Sequence, residues 1–383
     1  MIAIDCTFIS HGECRKNRLF TSFSIFIAEI LDAFVAIDKA NEFCLVINDF
    51  QVSLVQKRFP QYQYIVIPCF PCRHISNTIG RGGGKLSVIV KKLGIYRKIV
   101  DREKFEMMWY PYALPRNTVR LHIPTIHTIH DLMEYHNRDN EGDKKHSTRF
   151  REMINSSTKL TAISGYIAND IKKSFDYDQE ITVIPNSINV DISDVQEVNL
   201  KNDFILDING FGDHKNTLTL IKAFHRISED ITWDLVCCGG WKKDDYFNML
   251  NQYIIENHLE RRIHLFYSIP FPQRNWLLSK AKLFVTPSLN EGFGRTPVEA
   301  AICNIPVISS TEASLKEATM GLVNYYENAL DEVELSDSIL RLYTNPPSLA
   351  HLDEISKKLS AQYSPLKLAT DYWKIFEELR NQN

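Results

Sequence analysis

Short apolar runs recur along the chain at 2–5, 43–47, 64–67, 107–110, 125–129, 160–163 and 182–184, then at 204–208, 233–238, 263–267, 283–286, 307–309 and 323–325. Stretches of helical periodicity lie between them. The runs are continuous rather than alternating, as expected of strands covered on both faces. Their alternation with helical patterns predicts βαβ units and parallel sheets. A polar stretch without period, 186–202, interrupts the series and reads as a linker. The prediction is an α/β chain of two doubly wound domains, 1–188 and 189–364, facing each other across a cleft. Ligands of such sheets bind at the carboxyl ends of the strands. Segment 365–379 carries Leu368, Tyr372, Phe376 and Leu379 at helical spacing with Trp373 beside them. It needs an apolar surface to cover, and the helix 365–383 is expected to pack back on the first domain.

Composition narrows the class. A chain of 383 residues suits two domains, and its formal charge of -3 is ordinary. No apolar run reaches the roughly 20 residues of a membrane helix. Met1-Ile2-Ala3-Ile4-Asp5-Cys6 lacks a charged n-region and reads as a first strand, not a signal peptide. Five of the eight cysteines (Cys6, Cys44, Cys237, Cys238 and Cys303) fall in apolar runs and read as small core residues of a reduced, cytoplasmic protein. Cys69-Phe70-Pro71-Cys72 has metal or redox spacing but no second pair. Residues 51–100 hold nine Lys or Arg and no acid. Within 81–98, Arg81, Lys85, Lys91, Lys92, Arg97 and Lys98 interleave with apolar residues. That pattern suits an anionic membrane surface, which would make the protein peripheral on the inner membrane face. It equally suits a solvated helix face or a basic groove for an anionic substrate. Nucleic acid is not an expected partner.

The richest chemistry lies in Asn290-Glu291-Gly292-Phe293-Gly294-Arg295-Thr296-Pro297-Val298-Glu299-Ala300. It sits between two predicted strands and reads as a glycine loop opening a short helix. Pro297 fits the first helical turn. Free N–H groups and the positive end of the helix dipole suit a phosphate. Glu291 in the loop and Glu299 about two turns into the helix could both face one ligand. An ordinary crossover with solvated glutamates is the plain alternative. No strand is followed by Gly-x-Gly-x-x-Gly, and no P-loop is present. Arg81-Gly82-Gly83-Gly84-Lys85 follows no clear strand.

Several segments line up in order: His130-Asp131, Ser164, Val183-Ile184-Pro185-Asn186, Lys215-Asn216, Pro287-Ser288, the Glu291 to Glu299 segment, and Pro306-Val307-Ile308. Together they resemble family 4 of the retaining, nucleotide-sugar-dependent glycosyltransferases, whose fold is GT-B: two Rossmann-like domains. The resemblance runs from about residue 105 onward. It implies transfer of a hexosyl group from a nucleoside diphosphate sugar to a glycan or lipid-linked acceptor, in bacterial polysaccharide or lipopolysaccharide synthesis, with no metal or other cofactor. It implies that Glu291 contacts the donor sugar, that Phe293 and Gly294 place N–H groups on the diphosphate, and that Glu299 holds the ribose hydroxyls. Lys215, beside Asn216, would neutralise the leaving diphosphate. His130 would contact the donor sugar, and Glu317 would lie on the donor side. Gly12, Arg15 and Asp131 would belong to the acceptor side.

Two positions depart from the family pattern. An arginine usually stands about five residues before the lysine, where this chain has Gly210. Arg295, where relatives commonly have an apolar residue, is a candidate for that missing charge, or else a surface arginine in a salt bridge. The loop that often reads Gly-x-Gly after the first strand is here Gly12-Glu13-Cys14-Arg15. These departures keep open a non-catalytic glycosyltransferase-like binding subunit, and the two-domain architecture keeps open a sugar-nucleotide epimerase.

Overall fold

The computed structural model describes residues 1–9, 22–68, 94–115, 118–140, 144–240 and 245–382. All thirteen predicted runs form strands, each within one residue of the expected ends. The chain divides into two units. Unit 1 comprises Met1–Ser187 and Pro365–Asn383, and unit 2 comprises Ile188–Ser364.

Unit 1 holds β1 (Ile2–Asp5), β2 (Phe43–Asn48), β3 (Gln63–Ile67), β4 (Met107–Tyr110), β5 (Thr125–Ile129), β6 (Lys159–Ala162) and β7 (Ile181–Val183). They form one parallel sheet in the order β3-β2-β1-β4-β5-β6-β7. Strands β1, β4 and β5 are buried along their whole length, as a sheet with helices on both faces requires. The helix Pro365–Gln382 completes this unit. Its Tyr372 ring lies 4.4 Å from Trp109, and Phe376 packs 5.6 Å from Phe43. The buried Tyr372 hydroxyl bonds Thr128 at 3.0 Å, and Thr128 bonds Thr161 at 2.7 Å and accepts from the Trp109 indole at 3.0 Å. Buried polar groups need such partners. Arg380 ties the far end of the helix to Glu42 and Glu106.

Unit 2 holds β8 (Phe204–Ile208), β9 (Asp234–Gly239), β10 (Ile263–Tyr267), β11 (Leu283–Thr286), β12 (Val307–Ser310) and β13 (Asn324–Tyr326). The parallel order is β10-β9-β8-β11-β12-β13. The strand order reverses between β8 and β11, so the carboxyl ends of these two strands form the switch point where such sheets bind ligands. Residues 184–203 form no helix or strand. Asn275 pins that stretch through the carbonyls of Asp191 and Asp194 at 3.1 and 3.0 Å. At the opposite edge, Arg262 joins buried Asp234 to the carbonyls of Ser228, Ile231 and Trp233.

Candidate functional site

Beyond β8 the chain makes a tight passage. Gly210 has φ +83°, and a Cβ on Gly239, at the end of β9, would fall 2.3 Å from the Gly210 nitrogen. The close approach bars a side chain at Gly239, and the positive φ makes one at Gly210, where the family resemblance leads one to expect arginine, strained. A 3-10 turn, Asp213–Lys215, follows, and Asn216 sits in the left-handed region at φ 57°. The Asn216 carboxamide donates to the carbonyls of Pro287 (3.0 Å) and Ala329 (2.7 Å) and accepts from Thr219 (2.7 Å). Its visible work is to tie this turn to the end of β11.

That tie sets Lys215 beside the β11 loop. The Lys215 ammonium donates to Glu291 Oε1 at 2.6 Å, and the Ser288 hydroxyl donates to the same oxygen at 3.0 Å. Both side chains of the pair are 16% exposed. The Ser314 hydroxyl holds the Glu291 carbonyl at 2.7 Å. Phe293 is buried edge-on to Tyr363, with centroids 5.2 Å apart. Gly294 has φ +94°, and a Cβ there would meet Leu315 at 2.8 Å. Only glycine fits this entry to the helix Arg295–Ile302.

Glu299 is buried within that helix. Arg274, from the helix Phe271–Lys280, grips Glu299 Oε2, and Arg295 Nε reaches Oε1 at 3.3 Å. Burial alone would raise the Glu299 pKa, but the two guanidiniums outweigh it and hold the carboxyl below its ordinary value. Arg295 is thus engaged with Glu299, its side chain 13% exposed. Glu317 is exposed on the short helix Leu315–Ala318.

Beneath the Lys215–Glu291 pair lies a second carboxyl, Asp207 in β8. Burial, with Glu291 nearby, pushes its pKa up to about 8 against the pull of Asn209 and Lys215. Asn209 donates to Asp207 at 2.5 Å and to Thr286 at 3.0 Å, and accepts from Thr296 at 2.8 Å. One amide therefore links the ends of β8 and β11 to the first turn of the Arg295–Ile302 helix.

In unit 1, His130 follows β5 and is buried. Its Nε2 bonds the Pro111 carbonyl at 2.8 Å, and Phe26 and Tyr112 stand edge-on to its ring. Burial lowers its pKa to about 4, so the imidazole is neutral near pH 7. Asp131 accepts from the Met133 N–H at 3.1 Å, at the start of the helix Met133–Asn140. Gly12, Cys14, Arg15, the Cys69–Cys72 pair and residues 81–93 lie outside the described residues. The described part of the basic segment is the helix Ile95–Arg102, where Arg97 pairs with Asp101. Cys6, Cys44, Cys237 and Cys238 are free and buried, and Cys303 is partly buried. Among the described residues no three His, Cys, Asp or Glu side chains cluster as a metal site, and no helix is long and apolar enough to cross a membrane.

The structure thus brings Lys215, Glu291, Gly294, Arg295 and Glu299 together, and adds three residues that sequence reasoning passed over. Asp207 had a signal, an acid inside the apolar run Phe204-Ile205-Leu206-Asp207-Ile208. Asn209 and Arg274 had none.

Two doubly wound parallel sheets, with a lysine–glutamate pair at one switch point, are the GT-B class of glycosyltransferase fold. Residues 190–359 match the family described as glycosyl transferases group 1, and residues 61–192 match glycosyltransferase family 4. The chain is 28% identical over 232 residues to O-antigen chain mannosyltransferase RfbU of Salmonella typhimurium, which covers 59% of this chain and 63% of that protein. It is 29% identical over 212 residues to alpha-galactosylglucosyldiacylglycerol synthase of Streptococcus pneumoniae, covering 52% and 55%. The crystal structure of Anabaena Alr3699/HepE in complex with UDP and glucose superposes with a TM-score of 0.68 at 14% identity, over 98% of this chain and 99% of that one. Together the two family matches cover residues 61–359, the first lying in unit 2 and the second mostly in unit 1, so the chain is similar to these glycosyltransferases over most of its length. The match spans less than two thirds of the length of these curated relatives, 63% and 55%.

Proposed function

We propose that the chain is a retaining, metal-independent hexosyltransferase. It takes a nucleoside diphosphate sugar as donor and a glycan or lipid-linked acceptor of surface-polysaccharide synthesis. The observation that carries this is the Lys215–Glu291 pair at the switch point of unit 2. In the free protein the ammonium and the carboxylate satisfy each other. A diphosphate draws Lys215 onto its oxygens, and Glu291, still held by Ser288, then accepts a hydroxyl of the transferred sugar. As the bond from the anomeric carbon to the phosphate oxygen breaks, charge develops on the leaving diphosphate. A fixed ammonium and backbone N–H groups stabilise that charge without reorganising. The acceptor oxygen bonds to the anomeric carbon on the same face, and its proton passes to the departing phosphate oxygen. Glu299 holds the ribose. The O-antigen mannosyltransferase among the relatives supports a polysaccharide acceptor, and the UDP-bound neighbour supports a nucleotide-sugar donor.

Thermal-shift titration with UDP, GDP and ADP tests the reading. One of them should raise the unfolding midpoint in proportion to its affinity. Its sugars should then be transferred with retention, read by NMR of the product anomer, and EDTA should leave the rate unchanged. A protein that none of the three stabilises, or an inverted product, overturns the proposal.

A further inference from the structure

Glu299 is held more firmly than the fold requires. It is buried, yet two guanidiniums from different helices reach its two oxygens. Burying such a triad seldom adds stability over an apolar replacement, so stability does not account for it. A carboxylate has about four acceptor positions. Arg274 occupies one on Oε2 and Arg295 one on Oε1, leaving one position on each oxygen. A carboxylate that can accept one further hydrogen bond on each oxygen matches a vicinal diol, whose two hydroxyls donate to it. Arg274 also lies 5.8 Å from the Phe271 ring centroid, which limits its swing.

We infer that Arg274 is a positioning residue of the donor site: it fixes the Glu299 carboxylate to receive both hydroxyls of a ribose, and so sets the preference for ribonucleotide over deoxyribonucleotide. This rests on the reading of Glu299 as the ribose contact. Arg274 acts through Glu299 and leaves the reacting atoms to Lys215 and Glu291.

The test is calorimetric titration of the full chain with UDP, GDP and ADP and with their 2′-deoxy counterparts. Wild type should prefer the ribo form of the nucleotide it binds. Arg274→Leu should weaken that ribonucleotide by roughly tenfold or more, the scale of a hydrogen bond to a charged group. The deoxy form should change much less, so the preference shrinks. Arg274→Lys, which keeps the charge but not the fork, should restore part of it and serves if the leucine variant unfolds. The turnover number at saturating donor should stay within about threefold of wild type while KM rises. In a Glu299→Gln background Arg274→Leu should add nothing, because coupled residues are not additive. Arg274 variants that keep the full ribo preference, while Glu299→Gln loses it, overturn this inference alone. If Glu299→Gln itself binds and discriminates as wild type does, or wild type binds none of the three nucleotides, the donor-site reading falls and this inference with it.

Discussion

Replacing Lys215 by alanine should separate catalysis from folding. The ammonium makes one close contact, 2.6 Å to Glu291, and is 16% exposed. Its loss leaves the leaving diphosphate without its fixed lysine. Removing one preorganised donor of this kind costs about 10²–10³ in turnover, about 2.7–4 kcal/mol. Glu291 keeps the Ser288 hydroxyl. The stability cost should therefore lie between the ~1 kcal/mol of an exposed pair and the ~3 kcal/mol of a buried one. At roughly 2–4 °C per kcal/mol the midpoint falls by about 2–12 °C. Glu291→Gln provides the contrast. It removes the carboxylate that competes for Lys215, so the free nucleoside diphosphate should bind at least as tightly as to wild type while transfer falls. Single-turnover transfer and calorimetric titration of the nucleotide measure the two effects. Near-wild-type turnover of Lys215→Ala at saturating donor, or weaker nucleotide binding by Glu291→Gln, would refute the competition between ion pair and diphosphate.

Arg262→Leu should destabilise unit 2 by about 2–3 kcal/mol, because it takes one of three side-chain partners from the buried Asp234 carboxylate, which keeps Asn202 and His264, and releases three carbonyls. Urea unfolding measures this, and turnover per folded molecule should be unchanged. Asp207 gives a pH dependence of known sign. Its folded pKa of about 8 lies above the ordinary 3.8, so the folded state holds the extra proton between these values. Its stabilising contribution is whole below pH ~4 and is lost as pH rises to ~8. Asp207→Asn should therefore flatten the fall in stability over that window, and parallel wild-type and variant curves would refute the assignment. Replacing Lys91, Lys92, Arg97 and Lys98 by glutamine should release the protein from anionic vesicles at low salt, since each nearby cation contributes ~1 kcal/mol. Wild type that fails to float with such vesicles would exclude membrane docking.

Whatever depends on near neighbours in the chain was legible in advance. The strands show because a sheet buried on both faces demands unbroken apolar runs. The loop from Glu291 to Glu299 shows because a glycine turn, a helix start and two carboxylates lie within one crossover. The partners that tune the site were hidden for a physical reason. Arg274 reaches Glu299 only because the fold brings together residues 25 apart in the chain, on either side of β11, and nothing in the helix Phe271–Lys280 marks its arginine as facing inward. Asp207 was visible as an acid in an apolar run, but its link through Asn209 to Thr286 and Thr296 depends on three separated segments meeting. The need for glycine at 239 belongs to the same class, since it arises from the close approach of the Gly210 backbone at the end of the neighbouring strand.

The helix Pro365–Gln382 bears on how the protein is made. Its Leu368, Tyr372, Phe376 and Leu379 belong to the same core as Phe34, Phe43 and Trp109, yet a ribosome adds them only after all of unit 2. Domains usually mature in the order of synthesis. Here the contiguous second unit can close first, while the first waits with its aromatic face uncovered. During that interval the nascent chain shows Trp109 and Phe43 to solvent, and it is then that a chaperone would have most to hold.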